Sequence, residues 1–237
     1  MKIMALDCSA GPASVAIIEE GKIIASSYAN VKLTHSQTLL PMVESTLRSA
    51  MLGVSDIDAF AVNYGPGSFT GIRIGISAVK GLAAAEDKPC IEVSTLMSIA
   101  CGLKNTDCTV CAVMDARCNQ VYNALFRIEN GAITRLCDDR AVMIDEVIKE
   151  LANIGGKIIV AGDGAGLFEE YVKNNPDAFI AAEPLRYQNA CGVAVAAEEK
   201  LKKGETVSAD RLRPFYLRLP QAERELKAKS LKGDKKL

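Results

Sequence analysis

The chain has 237 residues, of which 49% are hydrophobic and 5% aromatic, with no tryptophan, and its formal net charge is −1. This composition is ordinary for a soluble α/β protein with one large or two small domains. The first residues become charged too soon for a signal peptide, and no apolar run reaches the roughly 18 residues of a membrane span. We therefore expect a cytoplasmic protein that does not contact the membrane.

The hydrophobic pattern predicts the same order of elements twice along the chain. The first half has predicted strands at residues 3–8, 14–19 and 22–28, a helix at 36–52, a strand at 59–62 and a helix at 71–85. The second half has predicted strands at 109–114, 120–126 and 132–137, a helix at 144–153, a strand at 157–161 and a helix at 164–174. A short helix at 95–102 joins the halves, and a longer one at 189–203 follows them. This βββαβα repeat predicts two mixed sheets covered by helices.

Positive charge is concentrated at the C-terminal end. Residues 211–237 carry nine Lys or Arg against three Asp or Glu, a net charge of +6, whereas the rest of the chain has a net charge of −7. A basic tail can contact RNA, an acidic partner or only solvent, and solvent is the commonest case for so few charges. Residues 220–237 contain no aromatic side chain for stacking on bases, so we expect contact with tRNA to be indirect.

A glycine-rich segment follows the predicted strand at 59–62. Gly65-Pro66-Gly67 interrupts regular structure, and Ser68 or Thr70 can cap the next helix. Such turns are common anion sites because they present free backbone N–H groups. The spacing nevertheless matches neither a dinucleotide fingerprint, a P-loop nor a nucleophile elbow. A tight strand-to-helix turn is therefore the favoured interpretation.

The duplicated pattern resembles the actin, Hsp70 and sugar-kinase superfamily, an α/β fold with two lobes. We assign residues 1–103 to the first lobe, 104–219 to the second and 220–237 to a basic tail that is partly helical. The resemblance implies a nucleotide between the lobes, held by an Asp-x-Gly loop in each half. Here the expected glycines are Ser9, after Asp7, and Arg117, after Asp115. The predicted nucleotide site is weak and degraded; its residues are Asp7, Ser9, Asp115, Arg117, Gly162 and Gly164.

Five segments, taken together, resemble the TsaB family, also called YeaZ. They are Asp7-Cys8-Ser9, residues 34–41 (Thr-His-Ser-Gln-Thr-Leu-Leu-Pro), residues 64–75, residues 114–117 (Met-Asp-Ala-Arg) and residues 214–218 (Pro-Phe-Tyr-Leu-Arg). The central one, residues 64–75, contains what we call the signature segment, residues 65–73, where the family's positions are Gly65, Pro66, Gly67, Ser68, Thr70, Gly71 and Arg73. The resemblance implies a subunit of the machinery that makes N6-threonylcarbamoyladenosine beside the anticodon of tRNAs reading codons that begin with A.

In that family, the implied partners are the transferase TsaD, a paralogue that shares the signature segment, and a small ATPase, TsaE. The family member itself is not the transferase, so no catalytic residue is assigned. We expect no cofactor in the isolated chain, and the resemblance allows ATP or ADP in the complex. The alternative from the same superfamily is an active phosphotransferase or ATPase that uses Asp7 or Asp115 to hold Mg²⁺ and nucleotide.

No metal site is expected. TsaD holds its metal through histidines, whereas this chain has only His35, for which a capping or turn role is favoured over a catalytic one. Cys108 and Cys111 have a metal-like spacing, but residues three apart on a strand point to opposite faces. We interpret all eight cysteines as buried, reduced thiols.

The helices at 36–52 and 71–85 carry more apolar surface than one sheet face should need. We expect them to form a surface that pairs with the same two helices of TsaD, or with a second copy of the chain when it is isolated. The simpler alternative is that both helices are core. The predicted interface residues are Leu39, Leu40, Val43, Leu47, Gly75, Ile76 and Val79.

Overall fold

The computed structural model of the chain describes residues 1–218, so the predicted tail at 220–237 lies outside the described residues. The first sheet has the strand order β3-β2-β1-β4-β5. Strands β1 to β3 form an antiparallel meander, and β4 and β5 add to it in parallel. The strands are β1 (Lys2–Asp7), β2 (Ala13–Glu19), β3 (Lys22–Ala29), β4 (Ala59–Gly65) and β5 (Cys90–Ser94).

Two long helices, α1 (His35–Ala50) and α2 (Phe69–Ala85), pack on one face of this sheet, and a third, α3 (Thr95–Cys101), follows β5. The second sheet repeats the order of the first as β8-β7-β6-β10-β11, with β9 paired to β7. Its strands are β6 (Cys108–Asp115), β7 (Gln120–Glu129), β8 (Ala132–Arg135), β9 (Arg140–Met143), β10 (Ile158–Ala161) and β11 (Ala178–Ile180). The predicted duplicated fold with two lobes is confirmed.

The remaining helices are α4 (Ile144–Leu151), α5 (Glu169–Asn174), α6 (Glu183–Arg186) and α7 (Ala190–Lys202). The sequence pattern did not predict β5, β9 or β11, because runs of three to five residues carry little periodic signal. The predicted helix at 164–174 divides into a 3₁₀ turn, Ala165–Phe168, and the short α5.

Helices α3 and α7 each pack on the sheet of the other half of the chain. Leu96 and Ile99 of α3 belong to the core of the second sheet, whereas Val193 and Ala194 of α7 belong to the core of the first. The two helices touch where Gly192 lies against the carbonyl of Ser98, and a Cβ at Gly192 would overlap that oxygen. Packing therefore crosses residue 103, and the predicted domain boundaries at 103 and 219 stay predictions.

The structure corrects the predicted exposed patch on α1 and α2. Of the seven predicted interface residues, only Leu40, which is 55% exposed, is open to solvent. The other residues share the core of the first sheet with Met4 and Leu6, because both helices turn their apolar faces to the same side of that sheet. The buried members are Leu39, Val43, Leu47, Gly75, Ile76 and Val79.

The cysteines also need one correction. Cys108 and Cys111 belong to different core clusters on the two faces of β6, which confirms their predicted opposite orientation. Three of the eight are not buried as predicted: Cys118 is exposed, because it lies in the hairpin loop after β6, and Cys137 and Cys191 are only partly buried.

Candidate functional site

The signature segment, residues 65–73, forms the turn from β4 into the first part of α2. The Ser68 side chain caps the helix by accepting a hydrogen bond from the backbone N–H of Gly71 at 3.2 Å, which confirms one of the two predicted caps. The backbone N–H of Ser68 donates to the carbonyl of Ser9 at 2.7 Å. This N–H group is therefore already used inside the protein and is not free to bind an anion.

Three glycines of the signature segment are required by close packing against backbone. A Cβ at Gly67 would overlap the carbonyl of Ser9, and a Cβ at Gly71 would overlap the carbonyl of Cys8. Gly65 lies equally close to the carbonyl of Phe215. Gly65 and Gly67 also have φ values of 140° and 154°, which side chains rarely adopt. The signature segment thus covers the loop between β1 and β2.

Asp7, at the end of β1, is fully buried, and its side chain lies on the face of the sheet opposite α1 and α2, because its neighbours Leu6 and Cys8 belong to the core beneath those helices. Its Oδ1 accepts hydrogen bonds from Ser9 N–H at 3.1 Å, Ser9 Oγ at 2.7 Å and Asn63 Nδ2 at 2.8 Å. Its Oδ2 has no partner among residues 1–218. Burial raises the pKa of Asp7, and the hydrogen bonds from Ser9 and Asn63 oppose that rise in part. Asp7 is closed to solvent, so a nucleotide or Mg²⁺ could not reach it unless the surrounding residues moved.

The corresponding loop of the second sheet is open. Asp115 accepts a hydrogen bond from the backbone N–H of Arg117 at 2.7 Å and forms an ion pair with its guanidinium at 3.1 Å. The Arg117 side chain is 84% exposed, and its φ of 65° places it in the left-handed region. Arg117 therefore neutralises the carboxylate that the superfamily resemblance would give to Mg²⁺ and nucleotide.

The predicted adenosine turn packs against the end of β6. A Cβ at Gly162 would overlap the carbonyl of Val113, and a Cβ at Gly164 would lie 3.0 Å from the backbone nitrogen of Asp115. Between the two glycines, Asp163 has a pKa raised to about 6, first by loss of solvent and then by the neighbouring Asp115 carboxylate. Part of the Asp163 side chain still reaches solvent, which weakens this effect. The structure brings Gly162, Gly164 and Asp115 together. Close packing against the end of β6 is enough to explain why glycine is needed at both positions.

A feature that the sequence did not predict is the C-terminal strap, residues 213–218, which joins the two lobes. Phe215 donates its backbone N–H to the carbonyl of Tyr64 at 2.8 Å and stacks on its ring at 5.5 Å. At its end, the Arg218 guanidinium donates to the carbonyl of Ala116 in the second lobe. The only sequence signal was that residues 214–218 resemble a family segment.

Tyr216 of the strap contacts the start of α2. Its ring lies 4.6 Å from that of Phe69, and its hydroxyl oxygen accepts a hydrogen bond from Arg73 Nε at 2.7 Å. The Arg73 guanidinium also lies over the Tyr216 ring at 5.6 Å. Arg73 is therefore held in one orientation, although its side chain is exposed.

An open groove of about 570 Å³ lies between α1 and α2, and we call it the α1–α2 groove. His35 at its edge bonds through Nε2 to the carbonyl of Ala10 at 2.7 Å, a structural contact at the start of α1. Most of the groove is apolar, with small residues on α2 and the exposed Leu40 on α1. Its lining residues are His35, Ser36, Leu39, Leu40, Phe69, Thr70, Arg73, Ile74, Ser77 and Ala78.

A larger cavity of about 870 Å³ lies where β5, β8 and α7 meet. Both carboxylate oxygens of Asp139, its most buried charged residue, already have partners. One accepts a hydrogen bond from Ser94 Oγ at 2.6 Å, and the other pairs with Arg135 at 2.5 Å. Within residues 1–218, no group of three or more His, Cys, Asp or Glu side chains could hold a metal ion. No helix in the same range is long and apolar enough to cross a membrane.

The fold is the two-lobed fold of the actin, Hsp70 and sugar-kinase superfamily. The fold is similar to (R)-2-hydroxyglutaryl-CoA dehydratase component A from Acidaminococcus fermentans, with a TM-score of 0.50 and 16% identity over 85% of this chain and 99% of that one. The family model described as TsaD, tRNA N6-adenosine threonylcarbamoyltransferase, matches residues 22–226.

Proteins of one family have higher sequence identity to this chain. The Escherichia coli K12 protein named tRNA threonylcarbamoyladenosine biosynthesis protein TsaB is 32% identical over 97% of this chain and 100% of its own length. YeaZ from Pseudomonas aeruginosa has a TM-score of 0.76 and 30% identity over 91% of this chain and 99% of that structure. The chain belongs to the TsaB family, also called YeaZ.

Proposed function

We propose that this chain is a non-catalytic subunit of the system that makes N6-threonylcarbamoyladenosine on tRNA. The names of relatives at about 30% identity over nearly the full length support the pathway. The observation that carries the non-catalytic role is the complete burial of Asp7, whose carboxylate is held inside the protein by hydrogen bonds from Ser9 and Asn63. Nucleotide, ATP or ADP, would then bind in the complex and not in the isolated chain.

The proposed partner is a TsaD-type transferase, docked through the α1–α2 groove. The match of the TsaD family model to residues 22–226 supports a partner with the same fold and the same pair of helices. The groove is apolar, and Leu40 is 55% exposed at its rim, which is unfavourable in water and favourable in an interface. In isolation, the same surface would pair two copies of the chain. A TsaE-type ATPase would join this assembly, and tRNA would be contacted mainly by the other subunits.

Leu40→Glu tests the docking surface. A carboxylate at this position would be desolvated without a partner in the complex, so binding to the transferase should weaken by about 2 kcal/mol or more. The variant should keep the unfolding temperature of the wild type, because the position is open to water. Binding is measured by calorimetry, dimer formation by sedimentation, and modification by an assay with each subunit omitted in turn.

The matched control is Met51→Glu, on a residue that is 91% exposed directly after the same helix. It adds the same charge outside the groove and should change neither binding nor modification. If Leu40→Glu binds the transferase and dimerises like the wild type, the docking surface is elsewhere. If the chain alone supports modification when the transferase is omitted, the non-catalytic role is wrong.

A further inference from the structure

The α1–α2 groove contains one fixed positive charge. Apart from His35 at its edge, Arg73 is the only ionisable side chain among residues 1–218 that lines it. Phe69, Arg73 and Ser77 are spaced four residues apart, so they form one row along α2. The groove therefore presents an apolar floor beside a single arginine, and no carboxylate of the described part of the chain lines it.

The arginine is held by the C-terminal strap and is only partly used. Its Nε donates to the Tyr216 hydroxyl oxygen at 2.7 Å, and its plane lies over the tyrosine ring. Within residues 1–218, neither terminal nitrogen of Arg73 has a hydrogen bond or an ion pair. Because the Tyr216 hydroxyl accepts from Arg73, its own proton remains available to a third group. The cluster thus offers donors and contains no acceptor for them.

Two parallel N–H donors from a fixed guanidinium fit a carboxylate in bidentate geometry. The strap also reduces the entropy that Arg73 would lose on binding, since the side chain is already ordered. No acidic side chain among residues 1–218 lines this position, so the carboxylate is expected from the molecule that occupies the groove.

We propose that the α1–α2 groove receives an apolar helix of the transferase partner that carries an aspartate or glutamate opposite Arg73. Both terminal nitrogens of Arg73 and the Tyr216 hydroxyl bind this carboxylate, so Arg73 sets the orientation and the specificity of docking. The inference rests on the proposed function and adds the chemistry of the partner surface.

A phosphate of RNA would also fit the arginine, but it would leave the apolar groove uncovered. Leu40, Ile74 and Ala78 lie beside Arg73 in the same groove, and only a partner with its own apolar face can bury them. The adjacent apolar surface therefore favours a protein helix over a nucleic acid.

The test measures binding of the full-length chain to the transferase of the same organism by calorimetry. Arg73→Gln should weaken binding at least 30-fold, because a desolvated carboxylate of the partner loses its charge partner. Arg73→Lys keeps the charge and loses the bidentate geometry, so a loss of about 10-fold is expected. Tyr216→Phe keeps the ring contacts and removes the hydroxyl, and it should cost about 5-fold. Lys149→Gln, on an exposed residue of α4 in the other lobe, is the matched control and should bind like the wild type.

Circular dichroism melting should be the same for all four variants, because Arg73 and the Tyr216 hydroxyl are at the surface. If Arg73→Gln binds within threefold of the wild type while Leu40→Glu does not bind, this inference is wrong and the proposed docking surface stands. If both variants bind normally, the docking proposal fails as well. A loss of tRNA binding or of self-association, with transferase binding intact, would assign Arg73 to RNA or to a second copy and overturn the inference.

Discussion

The two hairpins that begin the two sheets share a local design and differ in what covers them. In each, an aspartate at the end of the strand accepts the backbone N–H two residues later, at 3.1 Å for Asp7 and 2.7 Å for Asp115. Asp7 is nevertheless fully buried, whereas Asp115 pairs with an arginine that is 84% exposed. Ser9 and Arg117 occupy equivalent positions, yet the first fills an internal network and the second points to solvent. The expected glycine is therefore replaced by a buried serine that bonds the aspartate in the first lobe, and by an exposed arginine that pairs with it in the second.

The comparison predicts that the cover over the first hairpin is essential for stability. Gly71→Ala should lower the free energy of unfolding by about 3 kcal/mol or more, because the new Cβ overlaps the Cys8 carbonyl and backbone must move. Gly81→Ala in the same helix has no atom within 4 Å of the new Cβ and should raise stability by up to about 1 kcal/mol. Urea unfolding measures both, and equal effects at the two glycines would show that the close approach is not required.

A second prediction concerns the charge of Asp7. Its folded pKa is raised above the usual 3.8, so the folded state holds its proton more tightly than the unfolded state. The stability of the wild type should then fall as the pH rises above 3.8 through the folded pKa. Asp7→Asn keeps an acceptor for Ser9 and removes the titration.

The stability of Asp7→Asn relative to the wild type should therefore increase between pH 4 and pH 8 in urea unfolding. The substitution should also leave modification by the reconstituted complex unchanged. A loss of modification with Asp7→Asn in a folded protein would give Asp7 a chemical role.

The smallest expected effect comes from restoring the missing glycines. Arg117→Gly should change stability by less than about 1 kcal/mol, since it relieves a φ of 65° and loses an exposed ion pair. It should raise the affinity for ADP, because it frees Asp115. Ser9→Gly should cost about 1 kcal/mol and gain no affinity, because Asp7 remains buried and hydrogen-bonded to Asn63. Calorimetry with ADP measures the affinity of each variant. A gain in affinity for Ser9→Gly alone would show that the first hairpin, and not the second, retains the nucleotide site.

ATP hydrolysis by the isolated chain, abolished by Asp115→Asn, would favour the alternative of an active ATPase.

Periodicity was sufficient for the order of the main elements, because an alternating or four-residue apolar pattern reports directly on strands and helices. It was not sufficient to predict how deeply each residue is buried. Val43 and Leu40 lie three residues apart on α1, and only the position of the sheet decides that one is 4% exposed and the other 55%. The same holds for Asp7, whose buried environment includes Asn63, 56 positions later in the chain.

The site residues that the sequence missed depend on contacts between distant segments. Arg73 and Tyr216 are 143 positions apart, and nothing in either local pattern indicates that they meet. A single sequence carries no measure of such pairing, whereas a capping serine such as Ser68 acts within three residues and was predicted as one of two candidates. Local rules were therefore reliable for turns and caps, and unreliable for the surface that docks a partner.

The exchange of α3 and α7 between the sheets has a consequence for biosynthesis. One face of β1 and β2 is covered by α7, whose residues are made about 180 positions after those strands. While the chain is being synthesised, that face has no covering helix until residues 190–202 have left the ribosome. The first lobe therefore completes its core only when the chain is nearly finished, and the two lobes should unfold as one cooperative unit.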